Sequence, residues 1–317
     1  MSSPCVRGPM VNSGVDHPIQ QFAYPFQVIF LTYVTVRGCL QLRYGPNRLV
    51  ARRTLMLLAV ADFCLLLTML PQSLSTYSIF YENELFRRFI HYSKVTVNAW
   101  SNIFSAAEVF LTLSICLECY LRAKASPISR WFDSGLRYWV MVGIVFCLSM
   151  VFSFYHFLLY EIKTGYRCNG EKLVSKLVLN PTFTPAMVRF FNVGQALFVI
   201  AVPCVVVAVC NSRLGNILRE GKLPLVNNEC IELVSNDSRP ADGPHCVRRL
   251  TIISVVFVLS HVLSFVPFLY DIFPNLYLSQ FFPSIITVMN SALVMGKLVT
   301  LHLLFDSCHD LVRTGFY

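Results

Sequence analysis

Two carboxylates lie where a carboxylate is expensive. Asp62 follows the run Leu57-Leu58-Ala59-Val60-Ala61, and Glu108 falls near the middle of another apolar stretch. A charge left against lipid costs at least a few kcal/mol, so each residue is expected to face the interior of a bundle. If the two face each other they could share a Na⁺ ion or a proton, because close like charges cannot both stay ionised cheaply. Two separately hydrogen-bonded groups in a packed bundle would give the same sequence. His156, His261 and Lys297 also interrupt apolar runs. Neither histidine has a ligand-spaced Cys or His, so each reads as an interhelical hydrogen-bond partner. Lys297 lies near the end of the last run and is expected to extend its ammonium to the interface.

Other chemistry is missing from the pattern. There is no GxSxG, HExxH, GxGxxG or P-loop segment, and no aspartate pair of the intramembrane protease type. The twelve cysteines are dispersed without a CxxC or a metal-type Cys/His spacing. The sequence therefore predicts no enzyme, no metal site and no cofactor apart from a Na⁺ that Asp62 and Glu108 could hold.

The elements that must position these residues follow from the apolar runs. The 317 residues are 55% hydrophobic and only 14% charged, against about a quarter charged in soluble domains. Runs of about 20 apolar residues match a hydrocarbon core about 30 Å thick. Seven runs are legible, at roughly 22–42, 54–80, 95–121, 138–160, 186–210, 250–272 and 281–305. The fold expected is thus an all-α membrane protein, a bundle of seven transmembrane helices. The first run is the weakest, because Arg37 interrupts it near its end. Pro71, Pro203 and Pro267 are expected to kink the second, fifth and sixth helices.

Charge sets the orientation. The net charge is +9, yet no basic block or aromatic-interleaved basic patch exists that would suit nucleic acid. One set of connections and the tail carry fifteen Lys and Arg, among them Arg43, Arg48, Arg52, Arg53, Arg122, Arg213, Arg248 and Arg249; the other set carries nine. Cytoplasmic loops hold the excess of basic residues, so the richer set is expected inside. That places residues 1–21 outside as a polar segment without an apolar leader. The seven-helix domain is then 22–305, with a cytoplasmic third loop at about 211–249 and a short cytoplasmic tail at 306–317. The third loop is rich in Asn, Ser, Pro and Gly. The protein is expected to be a multi-pass protein of the plasma membrane, embedded in the lipid bilayer. No internal repeat suggests an inverted-repeat transporter.

The order of short motifs along the chain resembles the rhodopsin-like (class A) G-protein-coupled receptors, in particular their divergent nematode FMRFamide and neuropeptide-receptor-like group. Leu58-Ala59-Val60-Ala61-Asp62 is similar to the family's Leu-Ala-x-x-Asp segment in the second helix. Glu118-Cys119-Tyr120 stands where the third helix ends in Asp/Glu-Arg-Tyr. Pro203 and Asn211-Ser212-Arg213-Leu214 resemble the fifth helix, and Asn290-Ser291-Ala292 the seventh. Cys168 lies where the family keeps a cysteine in the second extracellular loop. The resemblance covers about residues 22–313.

The resemblance implies a receptor for an extracellular ligand, a peptide or small molecule and plausibly a neuropeptide, that signals through heterotrimeric G proteins. Ligand-facing candidates are Asn98, Ser101 and Asn102 in the outer third helix, with Phe190, Phe191 and Gln195 in the outer fifth. G-protein-facing candidates are Glu118, Cys119, Tyr120, Arg122, Arg213, Arg248 and Arg249. Asp62, Asn290 and Ser291 fall in the family's sodium-site region, with Glu108 replacing a small polar residue there.

The departures carry as much weight. Cys119 replaces the family's Arg, and a thiol cannot make its charge-assisted bond; Arg122, four residues after Glu118, is spaced to pair with it. Lys94 stands where the cysteine partner of Cys168 is expected, leaving Cys5 as its other extracellular candidate. Val294 to Leu298 lacks the family's Asn and Tyr. Two alternatives therefore stay open: a receptor-derived bundle with lost or altered coupling, and a small cation-coupled transporter using Asp62 and Glu108.

Overall fold

The computed structural model describes residues 16–43, 50–124, 126, 128, 135–167, 172–219, 242–263 and 282–313. Seven long helices run through these residues. α1 is Tyr24–Arg43, entered through a single turn at Asp16–Pro18 and a π segment at Ile19–Ala23. α2 is Val50–Leu74, α3 is Glu84–Ala123 and α4 is Gly135–Ser153, prolonged by the short helix Tyr155–Leu159. α5 combines Pro185–Gln195, a π segment Ala196–Ala201 and Val202–Arg219. α6 is Asp242–Leu263 and α7 is Phe282–Arg313. Five of the seven, all but α1 and α6, are long and apolar enough to cross a membrane by length and composition. The apolar part of α6 within the described residues is Thr251–Leu263; Pro267 and the rest of the expected sixth run lie outside them.

The helices close a ring. α1 packs on α2 and α7, α6 on both α5 and α7, and α3 crosses the middle against α2, α4 and α5. The usual order of a water-soluble core is inverted on this ring. Large apolar side chains such as Phe63, Trp139, Val151 and Leu259 are exposed on the outer face, while Gln27, Asp62, Glu108, Asn211 and Lys297 are buried. Lipid tails cover the first kind at no cost, and only a protein interior satisfies the second.

Local chemistry explains where the helices exceed the apolar runs. Asn83 caps α3, its side chain accepting the Phe86 N–H at 3.1 Å. Glu84 sits in the first turn, where a negative charge favours the helix dipole, and pairs with Arg88 at 2.5 Å. These devices carry α3 to 40 residues, about 60 Å at 1.5 Å per residue, so Arg87, Arg88 and Lys94 are helical rather than in a loop. Thr184 likewise caps α5 through Met187 N–H, with Pro185 at the first helical position. Within α5, Pro203 supplies no N–H and its ring crowds the carbonyl of Val199. The π segment Ala196–Ala201 takes up that disruption without ending the helix.

One element departs from the all-α expectation. Tyr160–Arg167 and Lys172–Leu179 form an antiparallel hairpin between α4 and α5, registered Tyr160 to Leu179 through Arg167 to Lys172. Cys5 and Cys168 lie outside the described residues.

α6 and α7 touch at a glycine. A Cβ on Gly296 would stand 2.2 Å from Ser260 Cβ and 2.8 Å from its Oγ, whereas one on Gly143 would meet nothing within 4 Å. The Ser260 Cβ is anchored to its backbone, so relief requires the helices to part. Gly296→Ala is expected to destabilise the bundle by about 1–3 kcal/mol, the usual penalty for overpacking. Gly143→Ala is expected to be neutral or slightly stabilising, since Ala favours a helix over Gly by about 1 kcal/mol. Thermal unfolding of the two purified variants checks the pair; equal midpoints would refute the close contact.

Candidate functional site: an outer cavity above a buried ion pair

A cavity of about 490 Å³ opens between α2, α3, the end of α4 and α7. Asn98, Ser101 and Asn102 all line it from α3. Their i, i+3, i+4 spacing puts them on one helix face. Tyr24, Gln72, Lys94, His156 and Tyr160 contribute further polar groups to the wall, and Ser105, Asn290 and Val294 also line it. The cavity occupies the end of the bundle opposite Glu118.

The expected contacts from α5 are not on that wall. Phe190 is 75% exposed on the outer face. Phe191 stacks on Tyr155 with centroids 5.0 Å apart. Gln195 is turned to the same place: its Oε1 accepts from Tyr155 Oη at 2.6 Å and lies 3.0 Å from His156 Nε2. Tyr155 Oη is also 2.9 Å from Asn192 Oδ1. These residues join α4 to α5 behind the cavity, and only His156 reaches both the network and the cavity.

Below the cavity lies a cluster that the sequence suggested only in half. The Lys297 ammonium donates to Glu108 Oε2 at 2.6 Å, to Ser105 Oγ at 2.8 Å and to the Ser105 carbonyl at 3.3 Å. The two charged side chains are 1% and 5% exposed. Lys297 therefore does not extend to the interface as expected. It is 2% exposed in the bundle interior, and its ammonium ends on Ser105 and Glu108 of α3. Asp62, 2% exposed, lies beside Glu108. Its Oδ2 has no partner among the described residues. Nearby, Gln27 Nε2 donates to Ser291 Oγ at 3.1 Å and to its carbonyl at 3.0 Å, tying α1 to α7.

A Na⁺ was expected to use Asp62, Glu108, Asn290 and Ser291. The donors present do not suit it. Glu108 is committed to an ammonium, Ser291 Oγ is held by Gln27, and Asn290 faces the cavity. Among the described residues no group of three or more His, Cys, Asp or Glu side chains could hold a metal ion.

At the other end of α3, Glu118 is buried and its Oε1 accepts from Arg122 Nε at 3.1 Å. The neighbouring Cys119 is 6% exposed within the apolar core, Tyr120 is half-buried and Arg213 is exposed. The side chains of Arg248 and Arg249 lie outside the described residues. The signal that could have found Lys297 was charge arithmetic. Lys297 lies within the seventh apolar run, and Glu108 needed a counter-charge.

A ring of seven helices with apolar outer faces, a polar centre and a cavity at one end is the architecture of a seven-transmembrane receptor. The sequence model for that family, described as the 7 transmembrane receptor (rhodopsin family), matches residues 42–298. The chain belongs to this family and is a multi-pass protein of the plasma membrane. It is 27% identical over 200 residues to F59B2.13, a Caenorhabditis elegans protein assigned by name to the G-protein coupled receptors. That match covers 59% of this chain and 46% of the relative, so the chain spans about half the length of the curated relative it matches.

Proposed function

We propose that the chain receives an extracellular ligand, a neuropeptide, in the cavity walled by Asn98, Ser101 and Asn102, and signals through heterotrimeric G proteins. The observation that carries this reading is that α3 runs from the cavity wall to the Glu118–Arg122 pair at its far end. A helix about 60 Å long offers a direct route between two faces of a membrane. The excess of Lys and Arg on the Glu118 side supports that end as cytoplasmic and the N-terminus as outside.

Arg122 stands in for the family's missing Arg. Its bond to Glu118 gives the charge-assisted contact that Cys119 cannot make. Position 119 itself is packed in the core, so it offers no surface to a partner.

Expression in cells with promiscuous G proteins and a neuropeptide library tests this, with Cys119→Arg beside the natural chain. The expected result is a ligand response from the natural chain. A response only from Cys119→Arg would instead support a receptor whose coupling has been altered. Silence from both at confirmed surface expression would overturn the signalling reading, and cation flux in proteoliposomes would then test transport.

A further inference from the structure

Two buried carboxyl groups in contact need positive charge near them, and three sources exist: a proton, a diffusible cation or a cationic side chain. Asp62 on α2 and Glu108 on α3 are buried neighbours, 2% and 4% exposed, and close like charges cannot both stay ionised cheaply, so one proton between them leaves a single negative charge. The single negative charge that remains is met by the Lys297 ammonium at 2.6 Å. One carboxylate and one ammonium leave the cluster neutral. We infer that Lys297 is a permanent internal cation, tethering α7 to α3 and occupying the position that a diffusible Na⁺ would otherwise take.

Three observations carry this. The ammonium makes three hydrogen bonds, its full donor complement, all to residues of α3. Its side chain is 1% exposed, so no water competes for those bonds. Finally, Asp62 Oδ2 is buried with no hydrogen-bond partner among the described residues. A single oxygen falls well short of the roughly six that hard cations such as Ca²⁺ and Mg²⁺ take.

The tether also meets the cavity. Ser105, which accepts two of the three bonds, is the residue of the cavity wall furthest along α3. A group reaching it competes with Lys297 for the Ser105 hydroxyl. The inference itself does not rest on the ligand or on signalling, since its readout is the stability of the purified chain.

The test compares thermal midpoints of the full chain in detergent, in NaCl and in choline chloride at about 0.15 M each, so that screening is matched. The wild type is expected to give the same midpoint in both salts. Lys297→Met and Lys297→Gln remove the tethered charge and leave the carboxyl pair. Both variants are expected to melt lower in choline and to recover several degrees in NaCl. A Na⁺ concentration about tenfold above the dissociation constant multiplies the folded-to-unfolded ratio by roughly 11. A Na⁺-specific rise in the wild type would overturn the inference, and so would variants indifferent to Na⁺. The wild-type arm decides the matter even where a variant fails to fold.

Discussion

Lys297→Leu alone is expected to cost about 3–5 kcal/mol of stability in Na⁺-free buffer, and Glu108→Leu alone a similar amount, while the double variant recovers most of the loss. The size follows from burial. An exposed ion pair contributes about 0–1 kcal/mol, because water solvates each charge once its partner is gone. Here the side chains are 1% and 5% exposed, so the survivor of a single substitution loses its counter-charge away from bulk water. Lys297→Leu strands the Glu108 carboxylate beside Asp62, a second acid. Glu108→Leu strands the ammonium on Ser105. Leucine at both sites removes both charges together and fills the space with apolar volume, which is often neutral or stabilising. Thermal unfolding of the four proteins gives a double-mutant cycle. Single losses that simply add in the double would mean that the pair does not interact as the geometry requires.

This pair also shows what the sequence could and could not say. Glu108 and Lys297 were each visible as misplaced charges, but they are 189 residues apart. Which faces of α3 and α7 meet depends on helix rotation, which hydrophobic runs do not encode when the whole run is apolar. Asn98, Ser101 and Asn102 break the apolar pattern at helical spacing, and they share a wall of the cavity. In α5 the pattern gave no such mark. Phe190 and Phe191 are adjacent, about 100° apart on a helix, so they cannot both face one site. Phe191 and Gln195, four apart, share a face, and that face turned to Tyr155 instead. Helix number was legible because seven apolar runs exist, while helix ends were not. The cap at Asn83 starts α3 at Glu84, eleven residues before its apolar run at 95–121, and is a signal a few residues wide and easily lost beside a 20-residue run. The hairpin at Tyr160–Leu179 was hidden for a related reason, since two short strands between long helices add little periodicity of their own.

The second large effect concerns the ligand. Ser101→Phe is expected to weaken the ligand response at least about 100-fold, equivalent to about 2.8 kcal/mol, with surface expression retained. Ser101 lies on the cavity wall between Asn98 and Asn102, one turn above Ser105. A phenyl ring there points into the space a ligand must fill and removes a hydroxyl from a wall whose polar groups orient it. The same substitution disturbs little of the fold, because it grows into a void of about 490 Å³ rather than into packed side chains. Phe190→Ala supplies the opposite case. Its ring is 75% exposed on the outer face of α5, so the response is expected to stay within about twofold of wild type, less than 0.5 kcal/mol. Dose–response curves normalised to cell-surface receptor check both. A ligand held against α5 would reverse the ranking, with Phe190→Ala losing the response and Ser101→Phe keeping it. The expected ranking would support a recognised molecule among α2, α3 and α7, above the Lys297 tether, where Ser105 belongs to the cavity wall and also accepts from the ammonium.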